Sequence, residues 1–488
     1  MITMQQLTEL DNAFVQIETT RVPMHISPVI IYDQSKRRGG KLAFKQILDV
    51  FRQNLYKSAV FRRKLAGGAM GFDTPYWIED ANFDLEFHVR HIALPRPGDW
   101  RQLCILLARL HARRLDMRRP LWEAYVIEGL NKVEGLPAKS FAIMLKVHHA
   151  AIDGVSAAEI LNAIHSPTAK PEPAPAEDHW RGERPPSSVQ VWSRAYWNNL
   201  KRPVKFLETV GTLVPRLVQA SRDGAEREPE PKLHMAKTRF NGRISAYRVT
   251  DGIIIDLDSL KAVKNAIPGA TVNDAIVSIV GGGLRKYLEK HGELPDTSLV
   301  CGAPIDVRAE RNSESIGNQV GIMTIDMATD VDEPLARLQA VSQHARDSKA
   351  YSSALGAGAM MELSEGLWPP VVGIGMRVAT LAAVSSDMPL PVHTTVSNVP
   401  GPQAPLYLAG ARVHLLMGMG PITDMMGLFH GVISGAGKIT INFVSCREML
   451  PDPGFYRSCL QAAYDELEAA ALTPPKRGKT RRRKAARA

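Results

Sequence analysis

The sequence predicts a mixed α/β (α+β) fold in two halves, and three observations carry that reading. Short apolar runs of strand length alternate with amphipathic segments of helical period along most of the chain. At 488 residues the chain is long enough for two domains or more. Its composition changes at residues 166–187, where Pro167, Pro171, Pro173, Pro175, Pro185 and Pro186 sit among Ala, Glu and Lys, as in a linker.

Taken in order, Asp11-Asn12-Ala13-Phe14 reads as the start of a short helix and Ile26 to Tyr32 as a strand, with Pro23-Met24-His25 just before it. Leu42 to Leu55 carries apolar residues at 44, 47, 48, 51 and 55, a helical stripe. Trp77 to Val89 alternates as a strand does. Asp99 is placed to cap a helix from Trp100 to Arg113, on which His111 lies among arginines and reads as surface or supporting. Pro120-Leu121-Trp122-Glu123 leads into a strand over Ala124 to Glu128, which can pair with Phe141 to Val147 as a hairpin. After the linker, Val189 to Arg222 is a basic amphipathic helix bearing Trp192 and Tyr196, broken by Pro203 and Pro215. It suits either an anionic membrane surface or the packing of one half on the other.

The second half begins near Phe240-Asn241-Gly242. A strand over Gly252 to Leu257 is followed by a short helix capped by Ser259. Thr271-Val272-Asn273-Asp274 starts a long apolar helix with Gly281-Gly282-Gly283 inside it. Each of these glycines costs roughly 1 kcal/mol against Ala, a cost that close packing would offset. Strands over Leu299 to Ile305, Val320 to Met327, Val432 to Ser434 and Lys438 to Val444, a helix over Asp332 to Ser348 and a final helix from Pro453 to Leu472 complete the pattern. Ala354 to Ser386 is small, apolar and Met-rich, suited to lining an alkyl tunnel or to plain close packing. The expected domains are 1–165, a crossover over 166–237, 238–472, and a disordered basic tail over 473–488.

The net charge of +10 is a property of that tail. Residues 471–488 hold eight Lys and Arg and no acid, which leaves +2 for the remainder, so no basic field for nucleic acid covers the fold. Four cysteines far apart, with no CxxC, suit unpaired thiols in a reducing compartment. No secretory signal is visible at the start, and no run of 18 residues is uniformly apolar. The nearest, Leu367 to Val384, contains Pro369, Pro370 and Arg377. The expected location is cytoplasmic, at the periphery of a membrane or lipid droplet.

Chemistry concentrates in His148-His149-Ala150-Ala151-Ile152-Asp153-Gly154, between a buried strand and a helix that Ser156 could cap. Adjacent strand residues point to opposite faces, so one histidine faces a cleft and the other packs. The spacing lacks HExxH and no further Cys or His cluster lies nearby, which argues against metal.

HHxxxDG is the signature of the CoA-dependent acyltransferase superfamily. Leu7 and Asp11, Pro23-Met24-His25, Pro120-Leu121-Trp122-Glu123, Ile127-Glu128-Gly129, Phe240-Asn241-Gly242, Asn273-Asp274, Gly317-Asn318 and Ser397-Asn398-Val399-Pro400-Gly401-Pro402 narrow it. Together they resemble the bacterial wax ester synthase/diacylglycerol acyltransferases over nearly all of residues 5–470. Two departures stand out: Asp306 where the family usually has Ser, and Asp424-Met425-Met426 where it usually has Asp-Gly-x.

The resemblance implies two chloramphenicol-acetyltransferase-like domains with a tunnel between them. It implies acyl transfer from long-chain acyl-CoA, a co-substrate and not a cofactor, to diacylglycerol or a fatty alcohol, without an acyl-enzyme. His149 would be the general base, His148 its support, and Asp153 and Gly154 the fixed loop, Asp153 through an Arg. Asn273, Asp274, Ser397 and Asn398 are substrate-binding or oxyanion candidates. An imidazole of pKa near 6.5 suits proton removal from an alcohol at neutral pH. The expected partners are these substrates and a lipid surface, with no specific nucleic acid, as monomer or dimer. Acyl transfer to another hydroxyl or amine, or a non-catalytic lipid-binding role, are the rival readings.

Overall fold

A computed structural model of the chain describes residues 5–37, 39–68, 72–152, 160–170, 180–200, 202–203, 236–306, 320–355, 375 and 392–473. Among these, two six-stranded sheets form the body of the protein, with a three-stranded sheet at one edge. The N-terminal part supplies β1 (Gln5–Gln6), α1 (Glu9–Ile17), β2 (His25–Asp33), α2 (Phe44–Asn54), β3 (Arg63–Ala66), β4 (Tyr76–Glu79), α3 (Leu85–His88), β5 (Val89–Ala93), α4 (Trp100–His111), β6 (Trp122–Glu128) and β7 (Ser140–His148). The C-terminal part supplies β8 (Arg248–Asp256), α5 (Leu257–Lys264), α6 (Val272–Lys290), β9 (Val300–Asp306), β10 (Val320–Asp326), α7 (Pro334–Leu355), β11 (Thr394–Pro400), β12 (Tyr407–Leu408), β13 (Ala411–Met419), β14 (Leu428–Gly435), β15 (Lys438–Cys446) and α8 (Pro453–Leu472).

The first large sheet runs β12-β13-β2-β7-β6-β5 and the second β10-β9-β11-β14-β15-β8. Strands β12 and β13, from the C-terminal side of the chain, therefore complete the N-terminal sheet. The hairpin of β6 and β7 pairs antiparallel as the sequence predicts. The chain crosses from one sheet to the other at residues 420–427, and the strands that flank the crossing touch across the two sheets. A Cβ on Gly431 would collide with the Gly418 carbonyl, and the Thr440 hydroxyl donates to the Leu416 carbonyl at 2.8 Å.

Strand alternation divides the core. Ile30, Tyr32, Trp122, Ala124, Ile143 and Leu145 face α2. Val29, Ile31, Tyr125, Met144 and the α4 residues Leu103, Leu107 and Leu110 merge with the core of the C-terminal half. The two halves thus share apolar contact across α4, and Trp100 Nε1 on that helix donates to Asp251 of β8 at 2.7 Å.

Several expectations need correction. Trp77 to Val89 is not one strand: the chain turns at Asp80–Asn82, and Asp84 caps the short α3. Asp256, not Ser259, caps α5, because its carboxylate reaches the Asp258 and Ser259 amides. His111 is buried, not on the surface. β13 is a strand beyond those expected from the sequence. The three glycines of α6 do lie at close contacts on three sides. A Cβ would stand 2.5 Å from the Met327 carbonyl oxygen at Gly281, 2.5 Å from the Arg337 guanidinium at Gly282, and 2.6 Å from Leu460 at Gly283. Ser156, the Gly317-Asn318 turn, most of the crossover (171–179, 201, 204–235), most of the Met-rich segment (356–374, 376–386) and the basic tail after 473 lie outside the described residues.

Candidate active site

β7 ends at His148, and His149 opens a 3₁₀ turn, His149–Ala151, so the two histidines leave the strand in different ways. The His148 amide donates to the Leu121 carbonyl at 2.9 Å, next to β6, while the His149 amide donates to the Met24 carbonyl at 2.8 Å, next to β2. This pins the turn between both neighbouring strands.

The His148 ring is fully buried. Its Nδ1 accepts the Ala150 amide at 3.1 Å, so in the neutral ring the proton sits on Nε2. Nε2 lies 3.8 Å from the Glu18 carboxylate, whose side chain is wholly buried. Glu18 also accepts from Arg114 at 3.0 Å and, at a long 3.5 Å, from the Met24 amide. Burial, then His149 and Arg114, push His148 down to about 3. His148 therefore packs, as one of the pair must.

His149 is half-buried, and its ring stacks on Phe14 of α1 with centroids 4.1 Å apart. Burial pushes it down to about 4, so it is a neutral imidazole at pH 7, able to accept a proton. α1 is held in turn by Thr8, which caps it at Asp11.

Behind the pair lies a buried polar layer. His25, which pairs with His148 in register, donates from Nε2 to the His111 carbonyl at 2.8 Å. His111 Nε2 donates to the Gly420 carbonyl at 3.1 Å, which leaves Nδ1 to accept from Ser27 at 2.8 Å. Lys146 is fully buried, donates to the Arg113 carbonyl at 2.7 Å, and is pushed down to about 8 by burial. His25 and His111 are structural here.

In the C-terminal half, Thr271 caps α6 and Asp274 completes the capping box, its carboxylate accepting the Thr271 amide at 2.8 Å. Asp274 thereby serves as a cap. Asn273 remains available in that first turn, and its Oδ1 accepts from Asn398 of β11 at 3.4 Å. The structure thus brings Asn273 and Asn398 together. Ser397 points to the other face of β11, as strand alternation requires. Asp153 and Gly154 lie outside the described residues.

Met425, which departs from the Gly usual in the resembled family, adopts φ +70, a conformation that favours glycine. It holds because its amide donates to Gly242 at 2.8 Å, its carbonyl accepts from Asn241 at 2.9 Å, and its side chain is buried. Its neighbour Asp424 clamps Arg21 at 3.0 Å, tying the segment before β2 to the C-terminal half.

Glu18, Arg114 and Phe14 are the contributors that sequence reading missed. No local pattern marks them; only the burial of an acid beside the histidines does.

Residues 7–276 match the wax ester synthase/diacylglycerol acyltransferase catalytic domain, and residues 316–468 match the C-terminal domain of the same family. A provisionally named diacylglycerol O-acyltransferase of Mycobacterium tuberculosis is 31% identical over 454 residues, covering 92% of this chain and 87% of that protein. Another, from Mycobacterium bovis, is 32% identical over 476 residues, covering 96% and 100%. Among solved structures, the wax ester synthase/diacylglycerol acyltransferase from Marinobacter aquaeolei VT8 superposes with a TM-score of 0.68 at 24% identity, covering 96% of this chain and all of that one. The first condensation domain of the calcium-dependent antibiotic synthetase shares the fold with a TM-score of 0.56 at 13% identity, covering 97% and 98%.

Proposed function

The chain belongs to the wax ester synthase/diacylglycerol acyltransferase family and is an acyltransferase, and from that premise we propose that it esterifies diacylglycerol with a long-chain acyl group from acyl-CoA, giving triacylglycerol. A long-chain alcohol is the second acceptor, giving wax ester. The observation that carries the reading is the state of His149: a neutral imidazole at the end of β7, pinned by its backbone and not enclosed like His148.

His149 takes the proton of the acceptor hydroxyl as its oxygen attacks the thioester carbonyl. The tetrahedral intermediate collapses, the C–S bond breaks, and the CoA thiolate leaves with the proton returned by His149. No acyl-enzyme forms, and acyl-CoA enters as co-substrate. The oxyanion needs fixed donors, and the Asn273 amide, oriented through Asn398, is the side-chain group we assign to it. The acyl chain lies between the two halves. Asp153 and Gly154 keep the role the family resemblance gives them, in holding the loop.

Acceptor and product are both apolar, so the reaction takes place at a membrane or lipid-droplet surface. No helix among the described residues is long and apolar enough to cross a membrane.

The test is CoA release by purified protein given palmitoyl-CoA, with diacylglycerol or hexadecanol in parallel. Acceptor-dependent release that His149→Ala lowers by about 10²–10⁴-fold, with ester product recovered, is the expected result. Release that survives in His149→Ala would remove the base assignment. No release with either acceptor from folded protein would favour another acceptor or a binding role.

A further inference from the structure

His149 is carried by the N-terminal half of the molecule and the Asn273–Asn398 pair by the C-terminal half. Their separation depends on what fixes the halves together beside the histidine. The backbone next to His149 is the short stretch between α1 and β2. Its middle is a tight turn: the Thr19 and Val22 backbones bond each other at 3.1 Å in both directions, and the Thr19 hydroxyl accepts the Val22 amide at 3.1 Å. Glu18, which faces His148, precedes this turn. Met24, whose carbonyl holds the His149 amide, follows it.

Arg21 stands in the turn and reaches the C-terminal half. Its Nη1 and Nη2 donate to the two carboxylate oxygens of Asp424 at 3.0 and 3.2 Å, a bidentate pair, and Nη1 also donates to the Ile244 carbonyl at 2.8 Å. Asp424 lies in the segment that crosses between the sheets and is itself fixed by the Ile244 amide at 2.9 Å. The buried Arg248 of β8 completes the grip, its guanidinium donating to the Arg21 and Ser245 carbonyls. The side chain and the backbone of Arg21 are thus both bound by the C-terminal half. With side chains 32% and 15% exposed, the Arg21–Asp424 pair is sheltered enough to keep one geometry, unlike an ordinary surface ion pair.

We propose that Arg21 is a positioning residue for the acyl transfer: held by Asp424 and Arg248, it fastens the turn before β2 to the C-terminal half and so sets where His149 stands against Asn273. The proposal rests on the reading of His149 as base and Asn273 as oxyanion donor. The path is short. It runs from Asp424 through the guanidinium to the turn, along the backbone to the Met24 carbonyl, and across one hydrogen bond of 2.8 Å to the His149 amide. Arg21 acts on the base through this backbone, so its loss should appear in kcat and not in KM. A clamp that only held the halves together would behave like the Trp100–Asp251 bond, which also joins them.

The experiment pairs CoA-release kinetics with amide hydrogen exchange on the full chain. The variants are Arg21→Gln, Asp424→Asn, the double variant, Arg21→Lys and, as control, Trp100→Phe. Exchange is read by mass spectrometry on peptides containing residues 18–25 and 146–152, and it reports the His149 amide without turnover. Arg21→Gln and Asp424→Asn should each lower kcat with palmitoyl-CoA and diacylglycerol by about 10- to 100-fold while KM stays within about twofold. Exchange in both peptides should quicken at least about tenfold, with β15 unchanged. The double variant should be no worse than either single one. Arg21→Lys, which keeps the charge and loses the fork, should recover part of kcat. Trp100→Phe should leave both readouts within about twofold of wild type. The isosteric Asp424→Asn and Arg21→Lys keep the test open where Arg21→Gln does not fold. Wild-type kcat and exchange in the Arg21 and Asp424 variants, a loss carried by KM alone, faster exchange in β15 as well, or an equal loss of kcat in Trp100→Phe would each overturn the proposal. A wild type that releases no CoA with either acceptor would overturn the reading of the reaction, and the exchange result then decides by itself whether Arg21 fixes His149.

Discussion

Replacing Glu18 should damage both stability and catalysis, although the residue touches no substrate. Its carboxylate accepts from the Met24 amide and faces the His148 Nε2 proton at 3.8 Å, and both donors are buried. Glu18→Ala takes the acceptor from the Met24 amide, at about 1–3 kcal/mol and toward the lower end because the contact is long, whereas His148 Nε2 at 3.8 Å loses only a nearby carboxylate and no hydrogen bond. Arg114, 39% exposed, can turn to water and adds little. The expected loss is about 1–3 kcal/mol for Ala and about 1 kcal/mol or less for Gln, which keeps the volume and one acceptor oxygen. The catalytic loss follows from geometry. The Met24 carbonyl holds the His149 amide at 2.8 Å, so a Met24 segment released by about 1 Å misplaces the base, worth about 10²-fold in kcat/KM. Urea unfolding, kcat/KM at saturating acceptor and a double-mutant cycle with His148→Gln measure this, with a coupling of about 1 kcal/mol expected. Glu18→Ala within about 0.5 kcal/mol of wild type and equally active would refute the reasoning. A destabilised variant with unchanged kcat/KM would reduce Glu18 to a core residue.

Four further outcomes follow from the geometry. The acid limb of kcat/KM should fall near pH 4, where burial sets His149, and not near 6.5; a limb at 6.5 would mean another base. Stability should also fall with acid: His111, His148 and His430 sit at about 3 in the fold against about 6.5 unfolded. Between those values the unfolded chain binds more protons, so stability rises with pH there and drops below 6.5 by up to about 1.4 kcal/mol per unit per histidine, read by urea melts at pH 7, 6 and 5. Met425→Gly should be more stable than Met425→Ala by about 1 kcal/mol, because both lose the buried side chain but only Gly relieves φ +70; the usual order would refute strain there. Gly281→Ala should destabilise by about 1–3 kcal/mol despite better helix propensity, since its Cβ meets a rigid backbone carbonyl; a stabilised variant in thermal melts would show that α6 and the Met327 segment can separate.

What the sequence determined by itself is local. Period-2 and period-3.6 patterns set β2, β7, α2, α4, α6 and α8, because a strand or helix must bury one face whatever its neighbours are. Adjacency alone predicted that the His148 and His149 rings part, and they do, the first fully buried and the second half-buried, although His149 turns away in a 3₁₀ turn and not along the strand. What only the tertiary structure decided is non-local. β13 is absent from the expected strands, and it is its partner β2, nearly four hundred residues away, that gives its backbone a ladder. Asp274 and Asn273 are neighbours in sequence, and only the cap geometry assigned the first to the helix end and left the second for Asn398. Glu18 carries no motif, and its role exists because folding removes its carboxylate from water and sets it against His148. A side chain's periodicity is written in its own segment, whereas its partner, burial and protonation depend on residues brought near only by the fold.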